Sequence, residues 1–245
     1  MARLTNNHKV VAVLPAYNAA KTLRQTVNDI PGDWVDEVIL VDDASQDDTV
    51  EVARELGLIV FVHPENRGYG GNQKTCYKQA LQRGADVVVM VHPDHQYDPA
   101  NVPAVVEPLI NGLAEAAFGS RMINRQRALM GGMPRWKYVA NIGLTKLENT
   151  CLGLSLTEYH SGFRAYSRRA LQAIPYEINS DNFVFDTEII IQLKVLEMKI
   201  TEVPIETRYF KDASSIGVGA SLNYGLGILG ALSRHLVTKW KIKKH

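Results

Sequence analysis

Cysteine is scarce in this 245-residue chain: Cys76 and Cys151 are the two present. Two cannot build a disulfide framework or a structural zinc site, so a reduced, cytoplasmic setting is the default expectation. Charge of one sign is lacking too, since 27 Lys+Arg stand against 26 Asp+Glu for a formal net charge of +1. A nucleic-acid-binding domain normally carries a basic excess, so no nucleic-acid partner is expected. There is no stretch of 18 or more consistently apolar residues, and hence no expected transmembrane helix. The nearest approach is the uncharged run 213–233, which is diluted by Gly, Ser and Asn223. It reads as re-entrant, interfacial or simply packed against the core. The first nine residues hold no apolar signal-peptide segment.

What the chain does have is enough apolar material for a packed core, at 46% of residues. In the first half, short apolar runs alternate with helical segments. Val10–Leu14 is followed by a helix over about 19–30, Val38–Val41 by one over 49–56, and Leu58–Val62 by a Gly-rich loop and a helix over 71–83. The run Val87–Val91 then ends at His92-Pro93-Asp94. Continuous Val/Ile/Leu runs alternating with helices predict an α/β domain with a mainly parallel sheet and right-handed crossovers. The second half is less regular. Residues 121–134 read as a loop, 136–152 as a helix, 165–174 as a short helix, 186–198 as a helix and 200–208 as a strand.

Ligands of open α/β sheets bind at the carboxyl ends of the strands. Three predicted strands end in polar clusters: Pro15-Ala16-Tyr17-Asn18, the segment Asp42 to Thr49, and His92 to Pro99. Each alone is also what a capped turn requires, but three in one sheet point to a site. The glycines Gly68, Gly70 and Gly71 follow the third strand rather than the first, and no Walker sequence is present. Dinucleotide and P-loop chemistry are therefore not expected.

The ordered set is informative. A strand ending in Leu14-Pro15-Ala16-Tyr17-Asn18 comes first, then Val41-Asp42-Asp43-Ala44-Ser45-Gln46-Asp47-Asp48-Thr49, the turn from Asn66 to Gly71, and His92 to Pro99. Phe118-Gly119-Ser120-Arg121, Ser161-Gly162-Phe163-Arg164-Ala165 and Val203-Pro204-Ile205 follow. Together these resemble the family 2 glycosyltransferases of GT-A fold, nearest to the dolichol-phosphate mannose synthase branch and its polyprenyl-phosphate relatives. The resemblance runs to about residue 216. It implies one Rossmann-like GT-A catalytic domain over 1–216, with a nucleotide-binding half to about 120, an acceptor half over 121–216, and a tail over 217–245.

The resemblance also assigns roles. Pro15 and Tyr17 shape the nucleotide pocket, with Val41 and Asp43 holding base and ribose; Pro93 and Gln96 complete the nucleotide-sugar side. Where the family often has Glu two residues past Tyr17, this chain has Ala19. In the family's D-x-D-x-Q segment this chain reads His92-Pro93-Asp94-His95-Gln96, so Asp94 and Gln96 are the expected ligands of a divalent cation, Mg²⁺ or Mn²⁺. His92 is either a ligand or a hydrogen-bonded strand-end residue. Arg121 and Arg208 are placed near the phosphates, where guanidinium suits growing charge on a leaving diphosphate. Arg164 and Ser214 fall on the acceptor side, with Lys211 close to the position where the pattern carries Lys. Asp94, Arg208 and Asp186 are the expected catalytic residues, although Asp186 and Glu188 equally suit the first turn of a helix.

The activity implied is inverting transfer of a sugar from a GDP- or UDP-sugar to a polyprenyl or dolichyl phosphate. Alternatives are a hydroxyl acceptor in glycan synthesis, or a nucleotide-sugar-binding protein without catalysis. The tail places Lys239, Lys241, Lys243 and Lys244 around Trp240 and Ile242, after apolar positions at 226, 228, 229, 232, 236 and 237. That composition suits peripheral contact with a membrane or a membrane partner subunit, and equally a solubilising end on a core-packed helix.

Overall fold

The computed structural model describes residue 5, residues 7–207 and residues 218–243. Its centre is a seven-stranded sheet of order β3-β2-β1-β4-β6-β5-β7, with β1 Val10–Ala16, β2 Glu37–Asp42, β3 Ile59–Val62, β4 Val87–Met90, β5 Ala116–Ser120, β6 Arg164–Ser167 and β7 Ile200–Pro204. β1 pairs in parallel with β2 and β4, and β5 with β7, whereas β6 runs antiparallel between β4 and β5. The sheet is thus mainly parallel, as the alternating pattern predicts. Because the chain leaves β1 for β2 and β3 on one side and returns to β4 on the other, the strand order reverses between β1 and β4. A crevice opens at their carboxyl ends.

Side chains of successive strand residues alternate between faces, so a strand buried on both sides feeds two core layers. Val11 and Val13 pack on one face with Tyr77 of α3 (Gly68–Gln82) and Ile189 of α8 (Phe185–Val195). Val10, Ala12 and Leu14 pack on the other with Leu23 of α1 (Ala20–Asn28), Ala53 of α2 (Thr49–Glu55) and Val105 of α4 (Val102–Ile110).

Several expectations need correction. Residues 165–167 are strand, not helix: the helix α7 begins at Arg168 and ends at Ala173. In β6, Ala165 enters one core layer and Tyr166 the other, a period-2 pattern too short to stand out. The segment 121–134 is not all loop, since α5 occupies Arg125–Met130; α6 follows at Arg135–Leu152. The Gly-rich segment opens α3, three residues before its expected start. A Cβ on Gly70 would meet Ser180 O at 2.3 Å and Phe185 Cβ at 2.9 Å, so glycine is required for α3 to touch the segment before α8.

The C-terminal residues form one helix, α9, Val218–Lys243, and no helix among the described residues is long and apolar enough to cross a membrane. α9 packs against the layer on one face of the sheet. Ile228 and Leu232 are buried in the same layer as Ile189, each such burial stabilising by about 1.5–3 kcal/mol. Arg234 pairs with Glu188 of α8 at 3.1 Å. Leu226, Leu229 and Leu236, at helical spacing on another face, remain exposed.

Candidate active site

A cavity of about 760 Å³ lies at the carboxyl ends of β1, β2 and β4. Three non-glycine residues beside it adopt left-handed backbone: Asn18 (φ 52°), Ala44 (φ 61°) and His95 (φ 57°). Such conformations are costly and persist where surrounding contacts impose them. Here the contacts are visible. Asp42 accepts from Ser45 N and Oγ, Ser45 Oγ accepts from Asn18 N, and Asn18 Oδ1 accepts from Gln46 N at 2.7 Å. These bonds knit the ends of β1 and β2 together, while His95 Nε2 lies 2.8 Å from Asp29 of the α1 carboxyl end.

The expected nucleotide residues are partly gathered. Pro15, half-exposed Tyr17, Pro93, Asp94 and Gln96 line the cavity. Val41 does not: its side chain is fully buried, and its carbonyl accepts from Asn72 Nδ2 at 3.0 Å. Asp43 reaches the wall, but its carboxylate is already engaged. It accepts from Arg67 N and Gly68 N, both at 2.9 Å, and lies 2.7 Å from His63 Nδ1. It therefore anchors the start of α3, where a negative charge is favoured. Arg208, Lys211 and Ser214 lie outside the described residues, as do Lys244 and His245.

Asp94 is half-buried; its Oδ1 accepts from Gln96 N at 3.1 Å, and it makes no ion pair among the described residues. Nor, among the described residues, do three or more His, Cys, Asp or Glu converge into a metal cage. One hard carboxylate with an amide oxygen beside it nevertheless fits a cation that keeps waters and takes its remaining ligands from a diphosphate. His92 makes no hydrogen bond among the described residues. Instead it stacks on Tyr69, with centroids 5.8 Å apart and planes within 9°, and Tyr69 stacks on Phe183 at 4.6 Å. A Cβ at residue 162 would come within 2.4 Å of His92 Nε2, which accounts for glycine in Ser161-Gly162-Phe163-Arg164.

Arg164 is not on the acceptor side of the cavity. It is 2% exposed, and its guanidinium donates to Ser161 O, Tyr159 O and Asp186 O at 2.6–3.2 Å, with its carbon 4.7 Å over the Phe118 ring. Every direction is taken by protein, so it cannot steer a phosphate. It fixes Asp186, whose Oδ1 is 3.7 Å from its Nη1. Asp186 does line the cavity, and accepts from the Tyr69 hydroxyl at 2.9 Å and Gln73 Nε2 at 3.5 Å.

Arg121 also lines the cavity, clamped by Glu158: its N and Nε donate to that carboxylate at 2.7 and 2.8 Å, and Nη2 donates to His160 O at 3.0 Å. Burial pushes the Glu158 carboxyl up, but Arg121 outweighs it and holds the group below its ordinary range. Beside Arg121, and absent from the sequence-based reading, is Lys137 of α6. Partial burial and then repulsion from Arg121 lower its pKa. Its ammonium lies 5.5 Å from the Trp136 ring and pairs with no carboxylate among the described residues. The signal that could have found it is its place on a helix that follows the Arg121 loop.

Residues 11–174 match the family described as glycosyl transferase family 2. The chain belongs to the family 2 glycosyltransferases. It is similar to the UDP-N-acetylglucosamine–dolichyl-phosphate N-acetylglucosaminyltransferase of Methanococcus voltae, with 30% identity over 232 residues, covering 88% of this chain and 92% of that protein. It is also similar to the undecaprenyl-phosphate mannosyltransferase of Micrococcus luteus, 30% identical over 209 residues and covering 80% and 82% of the two chains. Among solved structures, glucosyl-3-phosphoglycerate synthase of Mycobacterium tuberculosis, in complex with Mn²⁺, UDP-glucose and phosphoglyceric acid, superposes with a TM-score of 0.74 at 20% identity, over 96% of this chain and 82% of that one. This glycosyltransferase therefore has the expected GT-A architecture.

Proposed function

We propose that this glycosyltransferase moves a sugar, with inversion, from a nucleoside-diphosphate sugar to a polyprenyl phosphate at a membrane surface. The observation that carries this reading is Lys137. It is an ammonium on the cavity wall beside Arg121, with no carboxylate among the described residues to neutralise it, on a helix whose Trp136, Val139 and Leu147 are exposed. A cavity that offers unneutralised positive charge next to an apolar surface suits a phosphate carried on a lipid. The exposed Leu226, Leu229 and Leu236 stripe of α9 extends the apolar surface, and relatives named for dolichyl and undecaprenyl phosphate support the same acceptor class.

The chemistry follows from the groups present. Tyr17 and Pro15 cradle the nucleotide by packing, as an aromatic ring with a polar end does. Asp94 and Gln96 would hold a divalent cation, which when bound neutralises the diphosphate as the anomeric C–O bond breaks. A phosphate-monoester oxygen of the acceptor, held by Lys137 and Arg121, attacks the anomeric carbon from the opposite side. The new C–O bond forms as the nucleoside diphosphate departs with the bonding pair. No base is required, because the acceptor is already ionised, and Asp186 is correspondingly committed to Tyr69, Gln73 and Arg164.

The test is transfer of labelled sugar from a panel of GDP- and UDP-sugars to polyprenyl phosphate, with soluble glycans as competitors and Mg²⁺ or Mn²⁺ present. A lipid-linked product, stable to alkali and cleaved by acid, is expected. Label confined to soluble glycan would replace the lipid phosphate with a hydroxyl acceptor, and nucleotide-sugar binding without turnover under either metal would remove the catalytic reading.

A further inference from the structure

Behind the acceptor wall, four polar side chains from four parts of the chain meet, two of them sealed from solvent and two reaching the cavity. Glu148 of α6 and Thr187 of α8 are fully buried, and the Thr187 hydroxyl donates to Glu148 Oε1 at 3.1 Å. Glu148 Oε2 lies 3.3 Å from His160 Nε2, and neither atom has another partner among the described residues. On the far side of the ring, His160 Nδ1 is 2.9 Å from the hydroxyl of Tyr224. Tyr224 belongs to α9, and both it and His160 line the cavity.

The hydrogens available allow two arrangements of these groups. Two buried acceptors cannot face each other across 3.3 Å without a proton between them. If Glu148 supplies it, Oε2–H donates to His160 Nε2, the imidazole carries its own hydrogen on Nδ1 and donates it to Tyr224 Oη. The Tyr224 hydrogen is then left for the cavity or for the Thr187 oxygen. If Glu148 is ionised, His160 must turn Nε2–H towards it, Nδ1 becomes an acceptor, and the Tyr224 hydrogen is drawn inward.

We propose that Glu148 is a neutral acid which, through His160, orients the Tyr224 hydroxyl as a hydrogen-bond donor into the acceptor end of the cavity, so that the C-terminal helix supplies a positioning residue to the reaction. Burial favours the neutral form on both sides of the contact. It pushes Glu148 up to about 8, against the opposing pull of Thr187 and Arg164, and pulls His160 down to about 4. The 3.3 Å separation would otherwise suit an ion pair, but both shifts run the other way. The charged groups facing the cluster are Arg164, Asp186, Glu158 and Arg121. As Glu158–Arg121 and Asp186–Arg164 they are paired with each other, so among the described residues the cation that acts on Glu148, Arg164, is already matched by Asp186. The word "acceptor" rests on the reading of function above; the protonation of Glu148 does not.

The first measurement is difference infrared spectroscopy of the whole protein at pH 7. A protonated-carboxyl carbonyl band that disappears in Glu148→Gln is expected, and its absence from the wild-type protein would overturn the proposal. The second is steady-state kinetics. Tyr224→Phe should raise KM for polyprenyl phosphate roughly three- to tenfold, the worth of one hydrogen bond, with the donor KM unchanged. Glu148→Gln keeps a neutral donor against His160 and should retain the acceptor KM at pH 7 and hold it as pH rises past 8, where the wild-type value climbs. An unchanged acceptor KM in Tyr224→Phe, equal rises in both KM values, or identical alkaline limbs for Glu148→Gln and wild type would each sink it. If no lipid phosphate accepts sugar, the functional reading fails while the infrared band still decides the state of Glu148.

Discussion

The Tyr69 hydroxyl donates to Asp186 Oδ2 at 2.9 Å, and that bond ties the first turn of α3 to the first turn of α8 beneath the cavity. Its other consequence is chemical. Asp186 lines the cavity and is the carboxylate that the family resemblance offers as a base for a hydroxyl acceptor, yet its oxygens already serve Tyr69, Gln73 and the buried Arg164.

Replacing Asp186 by Asn tests which role dominates. The amide retains a hydrogen-bond acceptor for Tyr69 but removes the countercharge of a guanidinium that is 2% exposed. Stability should fall by about 1–3 kcal/mol, the cost of weakening a buried bond to a charged group, as read by urea denaturation. Turnover with polyprenyl phosphate should fall far less than the roughly 10²–10⁴-fold that loss of a general base brings. A loss in that range with unchanged stability would make Asp186 the base and the acceptor a hydroxyl.

Lys137 bears on the same question from the opposite sign of charge. A charge-assisted bond to phosphate is worth about 1.5–3 kcal/mol, so Lys137→Ala should raise the acceptor KM on the order of 10- to 100-fold. Lys137→Arg, which keeps the charge, should recover most of it. Relieved of repulsion between Lys137 and Arg121, the alanine variant should be no less stable than the parent. Equal acceptor KM values for wild type and Lys137→Ala at low ionic strength, where screening is weak, would take the phosphate away from this residue.

The Glu148–His160 contact gives stability a particular pH profile. Glu148 is raised from 4.5 to about 8, so its stabilising contribution is complete below pH 4.5 and is lost as pH rises through about 8. His160 is lowered from 6.5 to about 4, so its contribution is complete above pH 6.5 and is lost as pH falls through about 4. Between 4.5 and 6.5 the two slopes cancel. Above 6.5 Glu148 acts alone, and stability attributable to the pair should fall by about 1.4 kcal/mol per pH unit until about 8. In Glu148→Gln the profile should instead climb to pH 6.5 and stay level. Urea denaturation across this range, compared between the two proteins, checks it, and matching profiles would refute the assignment.

These sites differ in how far the sequence announces them. Tyr17 and Asp94 stand at the ends of apolar runs, and a parallel sheet brings the ends of β1 and β4 side by side whatever else the chain does, so their convergence is readable from the pattern. Arg164 is not readable in that way. An arginine in a polar segment looks the same whether its donors meet a phosphate or three carbonyls, and only burial against Phe118 separates the two. Asp43 is similar, since the amides it accepts belong to a helix start more than twenty positions away. Lys137 and Tyr224 become site residues because α6 and α9 fold over the cavity, and no local spacing encodes that. The four residues of β6 are too few to show alternation, although their antiparallel place between β4 and β5 sets where Arg164 points.

Asp94 supplies the last prediction, because its role can be separated from turnover. It lines the cavity with one oxygen bonded to Gln96 N and, among the described residues, no lysine or arginine paired to it, so its charge is available to a cation shared with a diphosphate. In calorimetric titrations of UDP and GDP, Mn²⁺ should strengthen binding to the wild-type protein. Asp94→Ala should lose that enhancement while retaining the metal-independent affinity expected from the proposed packing of Tyr17 and Pro15 on the nucleotide. Asp94→Asn keeps the shape and an oxygen but not the charge, and should fall between them, since hard cations bind neutral oxygens more weakly than carboxylates. If Asp94→Ala keeps the full Mn²⁺ enhancement, the cation is held elsewhere. His92 would not be the substitute of first choice, because its ring is stacked on Tyr69 with Nε2 directed at the Gly162 backbone.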